Sequence, residues 1–405
     1  VTFDRPDYPL SRRAHRMRAS EIRELLKVIE RPGMTSFAGG IPEPSLFDVA
    51  AFREAYAEAL TDSGASLQYS TSEGYPPLRQ WIARMMTARG VACTEEHVLV
   101  THGSQQALDL IGKLFLDPGD ALVTAAPTYL GALQSFSAFD PAFVAMRFHA
   151  DAVSESGPAK LVYLVPDFAN PSGETLTVRE REAALAFARR AGAIVVEDAA
   201  YADLRYEGES LPSMAALDIA DSGSIDAART LYCGTFSKTL SPGLRVGWVC
   251  GPAALIRRLT LIKQAADLHT ATINQQVVHR IASTSFDGAV QRARALYAGR
   301  RDAMLAALDR HAPAGVGFTR PAGGLFVWLT LPPDLDSDVL LAKAMELNIA
   351  FVPGRAFFTD GSGANNLRLS FSLLHEEAIA NGIGTLCGLL EVALRAGAAG
   401  GRSAA

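Results

Sequence analysis

The apolar positions of this chain change their period several times, and each change marks an element. Between residues 98 and 250, short runs with few polar positions alternate with longer stretches of helical period. The short runs fall at residues 98–101, 121–124, 161–165, 193–196, 230–233 and 246–250. Strands covered on both faces read this way, because neither face needs polar side chains. Residues 105–116 and 179–191 carry apolar side chains at helical spacing between them. This alternation predicts an α/β architecture: a mostly parallel sheet covered by helices.

The two ends of the chain are patterned differently. Residues 19–30 have helical period, with Ser20 as N-cap, Glu21 and Glu24 in the first turns, and Pro32-Gly33 as the stop. A turn-rich loop, GGIPEP, follows at residues 39–44. The composition shifts after about residue 285. Residues 289–310 predict one long amphipathic helix rich in Arg and Ala. Strand-like runs follow at 323–329, 349–354 and 367–372, with helices between them. The expected organisation is an arm over 1–50, a large domain over 51–285, a small α+β domain over 286–395 and a disordered Ala/Gly tail over 396–405.

With 405 residues, 49% of them hydrophobic and 20% charged, the chain is long enough for one large domain and a smaller one. A net charge of -5 offers no polyanion-binding surface, so nucleic acid is not expected as a partner. Cys93, Cys233, Cys250 and Cys387 are far apart and form no CxxC pair, which fits free thiols in a reducing compartment and no metal site. Residues 1–10 lack the apolar core of a signal peptide, and no apolar run approaches the length of a membrane span. The expected location is cytoplasmic, with no membrane partner.

The chemistry centres on Lys238, within GTFSKTLSPGLR at residues 234–245. Lysine forms Schiff bases with aldehydes, and nearby hydroxyls and an arginine can hold a phosphate. Pyridoxal 5'-phosphate (PLP) is an aldehyde that carries its own phosphate. Other residues could serve the same ligand. Ser104, in Gly103-Ser104-Gln105-Gln106, stands at a strand-to-helix junction where backbone N–H groups bind phosphate; a plain N-cap serine fits as well. Gly243 sits where a turn would fold Arg245 back toward Lys238. Asp198 ends an apolar strand, where open α/β sheets bind ligands, and could pair with a pyridine nitrogen or simply cap a helix. Tyr201 could reach the same ring. Asn170, in Asn-Pro-Ser-Gly, could donate to a phenolate oxygen or make an Asx turn. Tyr129 could stack on a flat heterocycle or lie half-buried at the surface. Arg368 lies in an apolar strand, where a charge needs a partner. It could grip an α-carboxylate or make a structural ion pair.

Several runs occur together and in order: SFAGGIP at 36–42, LQYS at 67–70, GSQQA at 103–107, PTY at 127–129, NPSG at 170–173, ED at 197–198, TFSK at 235–238, PAGG at 321–324 and NLRLSF at 366–371. On these motifs the chain resembles the fold type I PLP-dependent aminotransferases of class I/II, and among them the 2-aminoadipate and kynurenine aminotransferases. The resemblance implies a PLP cofactor, a seven-stranded-type sheet, and a ping-pong exchange between L-amino acid and 2-oxo acid substrates, with 2-oxoglutarate as acceptor. It implies that Lys238 carries the cofactor and moves the Cα proton, with Asp198 on the ring nitrogen. Asn170 and Tyr201 would meet the phenolate oxygen and Tyr129 the ring face. Ser104, Gln105, Thr235, Ser237 and Arg245 would form a phosphate cup. Tyr69 would reach the site of a second subunit in a homodimer. Arg368, with Gly40 and Asn170, would bind substrate, and Arg23 in the lid helix would meet a distal carboxylate or pair with neighbouring glutamates. The sequence departs from the family pattern at Ser172 and Thr235, which keep their hydroxyls, and at Ala199, where a second aspartate is common. Donors expected are 2-aminoadipate, glutamate, leucine and aromatic amino acids. A PLP-dependent lyase or decarboxylase on the same fold is a rival reading. An aminotransferase-like transcriptional regulator is another, disfavoured by the absence of room for a winged helix.

Overall fold

Side chains of a strand alternate between its two faces, and here both faces are covered. The computed structural model describes residues 8–16, 33–61, 64–149, 152–153 and 157–401. Seven strands form the main sheet, in the spatial order Val98–Thr101, Gly247–Cys250, Thr230–Thr235, Ile194–Asp198, Leu161–Leu164, Ala121–Ala125 and Ala142–Met146. Within it, Gly247–Cys250 runs antiparallel to both neighbours, and every other pairing is parallel. This is the mostly parallel α/β sheet that the apolar runs predict. Ala142–Met146 was not among those runs; as an edge strand it is half-exposed along most of its length.

Odd and even positions of these strands feed different cores. Leu99, Leu161, Tyr163, Val196, Leu231 and Val249 pack with the helix Gly103–Phe115. Val123, Val162, Leu164 and Val195 pack on the opposite face with the helix Val178–Ala191. That second helix is well specified locally. Thr177 and Glu180 form a capping box at its start, and Gly192 ends it in the left-handed region at φ 73°.

A four-stranded antiparallel sheet takes the order Gly317–Phe318, Phe326–Thr330, Asn366–Ser370 and Val352–Pro353. The N-terminal segment crosses to this region: Thr35–Ser36 pairs in parallel with Ile349–Ala350, and Ser370 donates its N–H to the Phe37 carbonyl at 2.7 Å. The helix expected over residues 19–30 lies outside the described residues. The composition shift near residue 285 marks no break in the chain, because the helix Thr272–His311 runs through it for 40 residues. Its first half buries Val277, Val278 and Ile281 beside the main sheet, and its second half buries Tyr297, Met304 and Leu308 beside the small one.

The C-terminal helix Glu376–Gly401 differs from expectation twice. It runs on to Gly401, into the stretch 396–405 expected to be disordered, of which residues 402–405 lie outside the described residues. Its portion Glu376–Ala396 is also long and apolar enough to cross a membrane, by length and composition. Ile379, Ile383, Leu386 and Leu390 recur on one face at helical spacing and are fully buried in the core. That stripe is the pattern of a helix packed on one side.

Candidate functional site

The alternation that builds the two cores also places the site. Glu197 and Asp198 end the same strand and therefore point to opposite faces. Glu197 accepts the N–H groups of Met214 and Ala215 at 3.0 and 2.8 Å, at the start of the helix Met214–Ser222. Burial pushes its carboxyl up to about 7. Asp198 turns to the other face, where it lines a cavity of ≈ 450 Å³. It is 3% exposed, and its Oδ2 accepts the Tyr163 hydroxyl at 2.8 Å. Its Oδ1 has no hydrogen-bond partner among the described residues, although it is buried. Burial raises Asp198 to about 6, against the opposing effects of the Tyr163 hydrogen bond first, then of the Ala200 backbone N–H and the Lys238 charge.

Lys238 follows the strand Thr230–Thr235 and reaches into the same cavity. Its Nζ donates to the Gly40 carbonyl at 2.9 Å and stands 5.7 Å from the Tyr201 ring centroid. Burial depresses the amine to about 8; Arg368 and Arg245 push the same way, and Asp198 opposes them. Gly40 is required by close approach, since a Cβ there would come within 2.4 Å of the Phe326 ring.

One end of the cavity is a cluster of donors. Ser104 and Gln105 occupy the first turn of Gly103–Phe115, and Thr235, Ser237 and Arg245 lie opposite. The Thr235 hydroxyl bonds Ser237 Oγ at 2.9 Å and accepts the Ser237 N–H at 3.1 Å. Gln105 donates to the Gly131 carbonyl at 2.8 Å. The turn expected at Gly243 is present, closed by the Arg245 N–H on the Pro242 carbonyl at 3.3 Å. Arg245 itself, rather than Gly243, takes the left-handed conformation, at φ 53°. Its guanidinium bonds the Pro242 carbonyl at 3.1 Å and the His102 carbonyl at 3.4 Å. A fully buried Lys263 stands behind the helix start. It bonds Asp267 at 2.7 Å and Gln106 at 3.1 Å, and Asp267 bonds His102 at 2.7 Å.

At the other end lies Arg368, on the strand Asn366–Ser370. It is 3% exposed. One terminal nitrogen donates to Asn170 Oδ1 at 2.7 Å and the other to the Ala38 carbonyl at 2.6 Å. Phe326 and Phe357 flank the guanidinium, with ring centroids at 4.4 and 5.2 Å. Among the described residues no carboxylate forms a salt bridge with it, and its Nε is buried without a partner. Burial lowers it to about 10. A buried guanidinium with neutral protein partners and an unpartnered Nε has the donors to take an external carboxylate.

The cavity thus gathers Gly40, Ser104, Gln105, Tyr129, Asn170 and Asp198 with Tyr201, Thr235, Ser237, Lys238, Arg245 and Arg368. Asn170 also hydrogen-bonds the Tyr201 hydroxyl, whose ionisation burial pushes up. Tyr69 stands apart, 78% exposed, with its ring edge-on to His269 at 5.9 Å. Arg23 lies outside the described residues. Three contributors escaped the sequence reading: Tyr163 behind Asp198, Phe326 across the cavity and Gln134 on its wall. Tyr163 could have been found by aligning its parallel strand with that of Asp198. Phe326 and Gln134 carry no local signal.

The residues fit PLP on structural grounds. A buried carboxylate oxygen waits for a donor, a helix N-terminus and hydroxyls gather opposite an arginine, and an amine depressed toward neutrality stands between them. Comparisons with known proteins agree. The family model "Aminotransferase class I and II" matches residues 40–386. The chain is 42% identical to the 2-aminoadipate transaminase of Thermus thermophilus over 91% of this chain and 93% of that protein. It is 40% identical to aromatic-amino-acid aminotransferase 1 of Thermococcus litoralis over 94% of each. The solved structure of an α-aminoadipate aminotransferase from Thermus thermophilus, complexed with N-(5'-phosphopyridoxyl)-L-leucine, superposes with a TM-score of 0.87 at 40% identity. It covers 95% of this chain and 98% of that one.

Proposed function

The chain belongs to the class I and II aminotransferases and uses PLP, and from that premise we propose which residues perform the reaction and on what substrates. Lys238 would carry the cofactor, Asp198 would meet its ring nitrogen, and Asn170 and Tyr201 its phenolate oxygen. Tyr129 would lie on its ring, and Ser104, Gln105, Thr235, Ser237 and Arg245 would hold its phosphate. Bound PLP supplies an electron sink for the pair left at the substrate Cα. Arg368 binds the α-carboxylate with two parallel hydrogen bonds. Lys238, its amine depressed to about 8 and so neutral in a growing fraction of molecules as pH rises through 7 to 8, takes the Cα proton at Nζ and returns it on the other side of the exchange. Asp198, ionised above about pH 6 and with its Oδ1 lacking a protein partner, would keep a proton on the cofactor's ring nitrogen.

The donors are 2-aminoadipate and glutamate, with leucine and aromatic amino acids, and 2-oxoglutarate is the acceptor in a ping-pong cycle. Relatives named for aminoadipate and for aromatic amino acids, each at 40% identity or more, support this range. The exposed ring of Tyr69 supports a homodimer in which it reaches the partner's phosphate cup. The observation that carries the assignment is the convergence of Lys238, Asp198 and Arg368 on one cavity. The test is a spectrum of the PLP-bound protein titrated with each donor in turn. Conversion of the bound cofactor to its amine form, with release of the matching 2-oxo acid, is expected for 2-aminoadipate first. An unchanged spectrum with every donor would sink the assignment.

A further inference from the structure

We propose that Tyr163 is a positioning residue that holds the Asp198 carboxylate ionised and aimed into the cavity through its hydroxyl bond to Oδ2. The inference rests on the assignment of Asp198 to the cofactor's ring nitrogen. Tyr163 belongs to the strand Leu161–Leu164, next to that of Asp198, and is 1% exposed. Its ring is fixed edge-on against Phe136 at 5.7 Å. The hydroxyl therefore meets Asp198 Oδ2 at 2.8 Å from a fixed direction. With Oδ2 anchored, the carboxyl plane leaves Oδ1 for the cavity, and Oδ1 has no protein partner among the described residues. A hydrogen bond donated to a carboxylate favours its charged form. Loss of that donor would leave a buried carboxylate with less support than its role requires.

The charged and titratable groups around Asp198 are few. Tyr163 and Cys233 face it from the neighbouring strands, Lys238 from the loop after Thr230–Thr235, Tyr201 from the turn after its own strand, and Tyr129 from the cavity wall. Burial raises the phenols Tyr163 and Tyr201 and the Cys233 thiol, so they stay neutral below pH 8. Asp198 and Lys238 change charge between pH 5 and 8, and so does Glu197, which is raised to about 7 on the opposite face of the same strand; the comparison with Asp198→Asn, which keeps Glu197, separates the two acids.

The probe is pyridoxamine 5'-phosphate, which has no aldehyde and cannot condense with Lys238. Its Kd for the full-length apoprotein is measured by fluorescence from pH 5 to 8 for wild type, Tyr163→Phe and Asp198→Asn. Wild type is expected to lose affinity as pH falls through the Asp198 range, beyond any change the probe's own titration produces in Asp198→Asn. Tyr163→Phe keeps the ring and loses the donor. Its acid limb is expected to move up by about one pH unit, the size of a hydrogen bond to a charged group. Replacement of Tyr163 by 3-fluorotyrosine, a stronger donor of the same shape, is expected to move the limb down, and it serves if the phenylalanine variant does not fold. A limb that stays in place in both Tyr163 variants while Asp198→Asn loses it would overturn the role of Tyr163. Wild-type affinity at every pH in Asp198→Asn would instead overturn the assignment of Asp198 to the ring nitrogen.

Discussion

Arg368 shows how a single buried residue can be assigned by what surrounds it. A guanidinium kept in the interior for stability needs an acid beside it, because desolvation otherwise works against the fold. Arg368 has an amide oxygen, a carbonyl and two aromatic faces instead. Its removal should therefore spare the fold and damage the reaction. Arg368→Met is expected to lower kcat/KM for amino donors by roughly 100- to 1000-fold, within the range for leaving a bound charge without its partner. The melting temperature of the apoprotein is expected to hold or rise. Arg368→Lys keeps the charge but loses the planar fork, and should recover only a small part of the activity. A fall in melting temperature with kcat/KM intact would make Arg368 a structural residue. Lys238, Asp198 and Arg368 were all legible in the sequence, because each is a charge set in or just after an apolar run. Tyr163 was not, because a tyrosine inside such a run reads as core until the neighbouring strand brings Asp198 to its hydroxyl.

Among the elements, the helix Gly103–Phe115 brings Ser104 and Gln105 to the cavity in its first turn. Its first residue has φ 72°, and a Cβ there would meet the Arg245 guanidinium at 2.6 Å. Gly103→Ala thus combines a left-handed alanine, which costs about 1 kcal/mol, with displacement of Arg245, proposed to hold the phosphate. PLP affinity of the apoprotein is expected to weaken by roughly tenfold or more, with near-normal circular dichroism; unchanged affinity would show that Arg245 is free to move aside. Behind the same turn, Lys263 is fully buried against Asp267. Lys263→Met would leave the half-buried Asp267 with Gln106 and His102 as partners, and urea denaturation should show a loss of roughly 1–2 kcal/mol, the size of a hydrogen bond to a charged group. The strands and helices around this region were readable from period alone, because both faces of the sheet are covered. The long helix Thr272–His311 was only half readable. Its first half buries polar and apolar residues together, including Thr272 and Gln275, and so lacks a clean stripe. The low-complexity end of the C-terminal helix misled for a related reason: composition there favours disorder, while the helix continues from a firmly packed stripe.

For the whole molecule, the site's charges set a pH dependence whose sign can be worked out. Asp198 and Glu197 sit back to back on one strand, and burial raises both, to about 6 and about 7. Unfolded, they would lose their protons near their ordinary values of 3.8 and 4.5. Between those limits the folded chain binds more protons than the unfolded one, so their contribution to stability falls as pH rises from about 4 to 7. Lys238 acts at higher pH. Its folded value of about 8 lies below the ordinary 10.5, so the unfolded chain binds more protons between them and stability rises across that window. The contribution of these three groups is therefore lowest between about pH 7 and 8, where both acids are ionised and Lys238 is still largely charged. PLP would relieve this by giving Asp198 a partner and taking up the Lys238 amine, and ligand binding to the folded state alone raises stability in any case. Calorimetry of the apoprotein from pH 4 to 9 should show Asp198→Asn melting above wild type at pH 7.5. The gap should narrow toward pH 4, where folded Asp198 is protonated and the unfolded side chain approaches its own ordinary value of 3.8. Saturating PLP should raise wild type more than Asp198→Asn at pH 7.5. If the variant instead melts below wild type at that pH, Asp198 is held by protein contacts beyond Tyr163, and the cavity is not strained in favour of its cofactor.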